Sequence, residues 1–261
     1  MKTFKNYFLS ALCISVLIAC EKEKTNADTE QMSSTKSAVS SGQGGSMAQF
    51  AVVNEYLYTV DYKTLHVFLI SDPKNPIELE AIDLGVGIET IHPQDGKLFI
   101  GTQSGVRIYD ISNPRNPVEV SEFQHVTSCD PVVANGNIAV ATLRGGTECG
   151  GNLNELDVFD ISDIENPTML ATQELINPYG VGFSKVNENI IYVCDGYAGL
   201  KIYDISNLLA IELIAELPSL EPIDVISSDN NLLIVLTAAG VYQFDATDPL
   251  NLVEKSFIPS I

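Results

Sequence analysis

Tryptophan is absent, histidine occurs three times, and Lys plus Arg total 14 against 34 Asp plus Glu. Each scarcity removes a class of function. A formal charge of −20 leaves no basic surface for a phosphate backbone, so nucleic acid is excluded as a partner. The acidity itself reads as solubility of an exposed surface. His66, His92 and His125 are the only imidazoles, and none pairs with a Ser or Cys in a legible nucleophile–base arrangement, so no catalytic residue is assigned. Past residue 20 no apolar run reaches the roughly 20 residues of a membrane-spanning helix. No segment there carries a convincing 3.6-residue apolar period, which removes α/β architectures.

The one long apolar run is FLSALCISVLIA, preceded by Lys2 and Lys5 and followed by Cys20. A positive start and a short apolar stretch mark a targeting segment rather than a structural helix. The junction Leu17-Ile18-Ala19-Cys20 resembles a bacterial lipobox. That resemblance implies cleavage before Cys20, a lipid thioether on its sulfur and acylation of the new amine. Two or more acyl chains anchor stably where one does not. The expected product is an outer-membrane lipoprotein, periplasmic or surface-exposed, whose only membrane contact is the Cys20 lipid. Loss of residues 1–19 removes Lys2 and Lys5 and no acid, moving the charge from −20 to −22. Residues 20–46 then read as a flexible tether, because EKEKTNADTEQMSSTKSAVSSGQGGS has no aromatic side chain and too little apolar surface to offset ordering. The folded unit is expected to span 47–261.

That unit repeats. LHVFLISDPKNPIEL from Leu65, VRIYDISNPRNPVEV from Val106, LDVFDISDIENPTML from Leu156, LKIYDISNLLAIELI from Leu200 and VYQFDATDPLNLVEK from Val241 share one pattern. Their starts lie 41, 50, 44 and 41 residues apart. In each, an alternating β-branched and aromatic run meets a Ser/Thr-Asx turn, often with Pro, and then a second extended run. Asx and Ser side chains build turns on nearby backbone, and Pro ends a ladder. Upstream of each lies a hairpin, at Asn54-Glu55, Asp95-Gly96, Asn135-Gly136, Asn187-Glu188 and Asp229-Asn230. Four short strands per period of this length predict an all-β fold, a β-propeller of five four-stranded blades. No strand exchange between the last blade and the first is legible, so closure is expected to rest on side-chain packing.

The aromatic-Asp-Ile-Ser-Asx-Pro-X-Asn-Pro core of the unit resembles the LVIVD repeat of bacterial and archaeal propeller proteins. Blade two carries it cleanly, whereas Leu69 replaces the Asp found at Asp110, Asp160, Asp204 and Asp245. SCDPVVANGN, TLRGGTECGG, NPYGVG and VCDGYAGLKIYDIS are similar to a lipoprotein subgroup common in Bacteroidota. The resemblance implies a fold and a cellular address rather than an activity.

In a propeller the loops entering each blade and those joining its second and third strands share one face. Here that face is irregular: QHVTSCD, LRGGTECGGNLNE, NPYG, CDGYAG and LEPID. Binding residues gather on such loops. Asp130, Arg144, Asn152, Asn154, Tyr179, Asp195, Tyr197 and Asp224 are the candidates, since Tyr and Arg dominate binding hot spots and Asn adds adaptable hydrogen bonds. Cys129 and Cys149 fall on adjacent loops. In an exported chain they are expected to pair, closing a loop of about 20 residues for roughly 3 kcal/mol, with free thiols and a metal site as the alternatives. Cys194, at the strand position of Val60, Gly101 and Leu236, is expected to be a buried free thiol. Gly145-Gly146 and Gly150-Gly151 supply the backbone freedom to fold the long loop back. Asp130, Glu148, Asp195, Glu221 and Asp224 offer oxygen ligands for calcium at the channel mouth, against a reading in which each caps a turn or pairs with Arg144. No cofactor is assigned. The function expected is a binding or scaffold module for a protein or glycan in the cell envelope. A metal-dependent hydrolase or lyase at the channel mouth and a structural subunit of an envelope assembly are the alternatives.

Overall fold

The computed structural model describes residues 41–42, 44–124, 131–146 and 151–260. They form five four-stranded antiparallel blades around a central channel, a five-bladed β-propeller, with one extra short strand, β1 (Ser41–Gly42), on the inner edge of the first blade. Blade one is β2 (Phe50–Val53), β3 (Tyr56–Val60), β4 (Thr64–Leu69) and β5 (Ile77–Asp83). Blade two is β6 (Ile88–Gln94), β7 (Lys97–Thr102), β8 (Gly105–Asp110) and β9 (Val118–Gln124). Blade three is β10 (Val132–Asn135), β11 (Ile138–Arg144), β12 (Asn154–Asp160) and β13 (Thr168–Glu174). Blade four is β14 (Val181–Phe183), β15 (Ile190–Cys194), β16 (Leu200–Asp204) and β17 (Glu212–Leu217). Blade five is β18 (Pro222–Ser228), β19 (Leu232–Thr237), β20 (Gly240–Asp245) and β21 (Val253–Pro259).

The repeated motif is a set of hydrogen bonds written in sequence. Asp110, Asp160, Asp204 and Asp245 each accept the N–H of the residue two positions on, at 2.7, 2.8, 2.7 and 3.0 Å. The following Asx does the same one step further along the turn, as Asp72 does for Lys74 at 3.1 Å and Asp248 for Leu250 at 3.0 Å. A side chain that supplies the turn's acceptor makes the reversal local and repeatable. Each blade also carries a β-bulge at one equivalent place, between Val67/Phe68, Ile108/Tyr109, Val158/Phe159, Ile202/Tyr203 and Gln243/Phe244. Bulges add twist where the outer strand departs. Asn54, Asp95, Gly96 and Gly136 hold the left-handed backbone their hairpins require, whereas in blade five that conformation falls on Asn231, one residue beyond Asp229-Asn230.

The core lies between blades. Tyr58 and Leu65 meet Ile91 and Leu98, Phe99 and Val106 meet Phe159, Val158 meets Ile191 and Tyr203, and Leu200 and Ile202 meet Leu233 and Phe244. A blade covered on both sides has second strands buried throughout, as in β15, where all five residues IIYVC are buried. At the ends of the array this changes. Among the described residues no buried apolar cluster spans blades five and one. The innermost strands of successive blades run side by side, but β18 and β2 scarcely touch. Ile226, Ile234 and Val241 on blade five and Val52, Leu57 and Phe68 on blade one are only half-buried, and Leu236 is 43% exposed. Among the described residues, closure therefore does not rest on a fully buried apolar cluster between these two blades, of the kind the sequence led one to expect.

Structure is also described upstream of Met47. Ser41 and Gly42 pair with Val53 and Val52, and Ser46 is fully buried. β1 runs antiparallel to β2, from the hairpin-turn face up toward the loop face, and the chain reverses at Ser46–Met47 before descending as β2.

Candidate functional site on the loop face of blades three and four

Cys20, His125, Cys129, Asp130, Glu148 and Cys149 lie outside the described residues. The remaining candidates divide into a contiguous surface and two carboxylate anchors, Asp195 fully buried and Asp224 half-buried.

The surface begins at Arg144, the last residue of β11, whose guanidinium sits 4.1 Å from the centre of the Tyr179 ring. Stacking of this kind is worth about 0.5–1 kcal/mol at a partly exposed site and fixes both groups. Asn154 faces Arg144 across the β11–β12 ladder. Its side chain accepts the Gly145 N–H at 3.0 Å and donates to the Ile176 carbonyl at 2.9 Å, joining the loops of blades three and four. The long loop closes at its neck, where the Gly146 N–H donates to the Gly151 carbonyl at 3.0 Å with both glycines left-handed. Asn152 and Leu153 stand exposed beside that neck. The Thr142 hydroxyl donates to the Tyr179 carbonyl from below.

Tyr197 is 65% exposed at the tip of a single 3₁₀ turn, Gly196–Ala198. Gly196 adopts φ +48°, and a Cβ there would come within 2.4 Å of Asn177 Nδ2 and 3.0 Å of the Tyr179 ring. That close approach places the Tyr197 turn against the 176–179 loop. Arg144, Tyr179, Tyr197, Asn152, Leu153 and Ile176 therefore form one surface of two aromatics, a cation, an amide and two exposed aliphatics.

Asp195 is not on that surface. Its carboxylate is fully buried, lies 2.6 Å from the Lys201 ammonium, and accepts the N–H groups of Ile176 at 2.9 Å and Asn177 at 2.6 Å. It holds the 176–179 loop from beneath. Lys201 was not among the residues singled out from sequence. Its signal is a charged residue at the second position of an otherwise apolar strand, where blades one to three have His66, Arg107 and Asp157.

Asp224 begins blade five at the channel wall. It accepts the Ser46 hydroxyl at 3.1 Å and the Val225 N–H at 2.9 Å. Burial pushes its carboxyl upward, against the opposing effect of N–H donors from Val225, Ser46 and Met47. Each of these two carboxylates is engaged separately, and among the described residues no three His, Cys, Asp or Glu side chains are grouped as metal ligands. Glu221 is exposed. Cys194 is free and fully buried in β15, and burial raises its thiol well above the usual range.

The rest of the channel, below residues 44–46 and toward the turn face, is a cavity of about 160 Å³ lined by His92, Gln94, Asn135, Lys185, Ser227 and Asp229. His92 donates from Nε2 to the Ala134 carbonyl at 3.2 Å, tying blade two to blade three. Burial lowers its pKa to about 4, so the ring is neutral.

The chain carries LVIVD repeats, matched at residues 44–83, 97–125 and 185–215. No curated protein is significantly similar to it in sequence. Among solved structures it resembles a functionally unknown protein from Desulfotomaculum acetoxidans, with 14% identity, a TM-score of 0.64, and 85% of this chain and 70% of that chain covered. It also resembles the periplasmic gluconolactonase of Pseudomonas aeruginosa (13% identity, TM-score 0.57, 78% and 67% covered). A third likeness is to Sqt1 of Chaetomium thermophilum bound to the N-terminus of ribosomal protein L10 (15% identity, TM-score 0.52, 77% and 58% covered). At these identities the likeness shows the fold.

Proposed function

We propose that this propeller of LVIVD repeats is a binding platform for a protein partner, engaged through the loop face of blades three and four. The observation that carries the reading is the Arg144–Tyr179 stack beside exposed Tyr197, held by the buried Asp195–Lys201 pair. Arg and Tyr concentrate binding energy, and a surface whose side chains are already fixed loses less entropy on association. Asp195 acts from below as a positioning residue and Asp224 serves the channel wall. A solved propeller-like neighbour, Sqt1, is bound to a segment of a ribosomal protein, which is consistent with a protein partner.

The lipobox resemblance at Cys20 belongs to the same proposal. An anchored chain would enter the propeller at Ser41, whose partner Val53 precedes the Asn54 turn, so the tether would leave from the turn face. The loop face would then be left clear of the tether. A hydrolase centred on Asp195 and Asp224 has less support, because the first is neutralised by Lys201 and the second binds Ser46.

The test is capture from envelope extract on the immobilised mature chain, compared with Arg144→Ala/Tyr197→Ala. Proteins retained by the wild type and lost by at least tenfold from the folded double variant support the reading, tenfold being about 1.4 kcal/mol. Identical recovery on both would overturn it.

A further inference from the structure

We propose that residues 44–49, Gly-Gly-Ser-Met-Ala-Gln, are a clasp that joins blade five to blade one and holds the propeller closed. The need for one follows from the fifth junction, where the apolar faces of blades five and one are half-exposed and their inner strands scarcely touch. Where the other junctions bury a cluster, this one is crossed by backbone and polar groups.

The clasp makes contacts to four blades. Gln49, which leads directly into β2, accepts the Val60 N–H at 2.9 Å, fixing the segment to blade one. The Ala48 carbonyl accepts the Ile91 N–H of blade two at 2.8 Å. Ser46 Oγ accepts the Val181 N–H of blade four at 2.8 Å and donates to Asp224 of blade five at 3.1 Å. One hydroxyl used as both acceptor and donor thus spans two blades. A turn closed by the Ala48 N–H on the Gly45 carbonyl, at 3.1 Å, presents Ser46 at its tip.

The fit around Asp224 is close on two sides. A Cβ at Gly45 would lie 1.9 Å from Asp224 Oδ2, and one at Gly180 would lie 2.3 Å from Oδ1. Neither glycine has a left-handed φ, so space rather than backbone conformation requires them. Gly180 also donates its N–H to the Ile223 carbonyl at 2.9 Å, which ties blade four to the same corner. Gly45, which has linker composition, and Gly180 of the NPYG loop are here the contact surface for a largely buried carboxylate. A group buried this way is costly unless its hydrogen bonds are made, so clasp and Asp224 stabilise one another.

Hydrogen exchange on the full mature chain tests the proposal. Ser46→Ala removes both hydroxyl bonds with little change of volume, and Gly45→Val forces the segment off Asp224. Loss of both hydroxyl bonds predicts roughly 30-fold faster exchange in β18–β20 and β2–β4. Strands β7, β8, β11 and β12 should keep wild-type protection. Exchange unchanged in both variants, or raised equally in all five blades, would overturn the clasp. Should Gly45→Val not fold, Ser46→Ala and Asp224→Asn give the same contrast, with Asn retaining an acceptor and exchanging more slowly than Asp224→Ala.

Discussion

Asp195 and Lys201 meet at 2.6 Å inside blade four, the carboxylate fully buried and the lysine side chain 11% exposed. The pair sits directly below the loop that carries Tyr179, because the same carboxylate receives the N–H groups of Ile176 and Asn177. A charge pair in this position holds the loop of the proposed recognition surface from below.

Removing one partner leaves the other buried and unpaired. Lys201→Met is expected to destabilise the protein by about 3–5 kcal/mol, and the double variant Asp195→Ala/Lys201→Met by less than the sum of its singles. Urea unfolding measures both. A loss under about 1 kcal/mol for Lys201→Met would show that the pair is not structurally required.

Surface and support should separate in their effects. Tyr197→Ala is expected to change stability by no more than about 0.5 kcal/mol, since the side chain is exposed and its turn is built by backbone. Arg144→Ala loses the stack on Tyr179 and about 0.5–1 kcal/mol. Thermal unfolding reads the stability arm. A large loss of stability from Tyr197→Ala would mean the residue is structural.

His92 gives the protein a pH dependence of known sign. Burial holds its folded pKa at about 4, the hydrogen bond to the Ala134 carbonyl opposes this, and the nearby Lys185 ammonium adds to the lowering. The unfolded imidazole titrates near 6.5, so the unfolded state binds the extra proton first. Its contribution is complete above about pH 6.5 and is lost as pH falls toward and through about 4. His92→Gln keeps a donor for Ala134 and should flatten stability against pH in that window. Parallel curves for wild type and variant would contradict the assignment.

Asp110 works in a lower window. The Ser112 hydroxyl, Lys97 at 2.9 Å and the Ser112 N–H hold its carboxyl down to about 2. A depressed carboxylate stabilises above its ordinary pKa near 3.9 and loses that contribution as pH falls through about 2. Asp110→Asn preserves the turn acceptor and should lose only the acid-sensitive part. Asp110→Ala should cost about 1 kcal/mol more at neutral pH. Equal stabilities for the two variants at pH 7 would show that the turn bond contributes nothing.

The parts of this architecture that sequence reveals are those made by near neighbours. Asp110 and Ser112, or Asp72 and Lys74, are two residues apart, so their bond recurs as a motif and the blades can be counted. The candidate surface was legible for a related reason: Arg144, Tyr179 and Tyr197 interrupt the repeat on one face. What could not be read depends on distant partners. Gly45 and Ser46 have linker composition, and their structural partners are remote: Val181 and Asp224 lie 135 and 178 residues beyond Ser46. Asp195 reads as an exposed turn residue until Lys201 is seen to fold beneath it. LLIVLT of β19 resembles any doubly covered strand, although its alternate residues lack full cover because blade five ends the array.

The central claim, recognition through the loop face of blades three and four, is tested most directly by site-specific photocrosslinking. A benzophenone side chain placed at Tyr197, and in a separate protein at Leu209, samples opposite faces of the same blade, both exposed, at 65% and 81%. In envelope extract, the account predicts a discrete crosslinked partner from position 197 and none from position 209. Crosslinks from position 209 alone, or the same products from both, would contradict it.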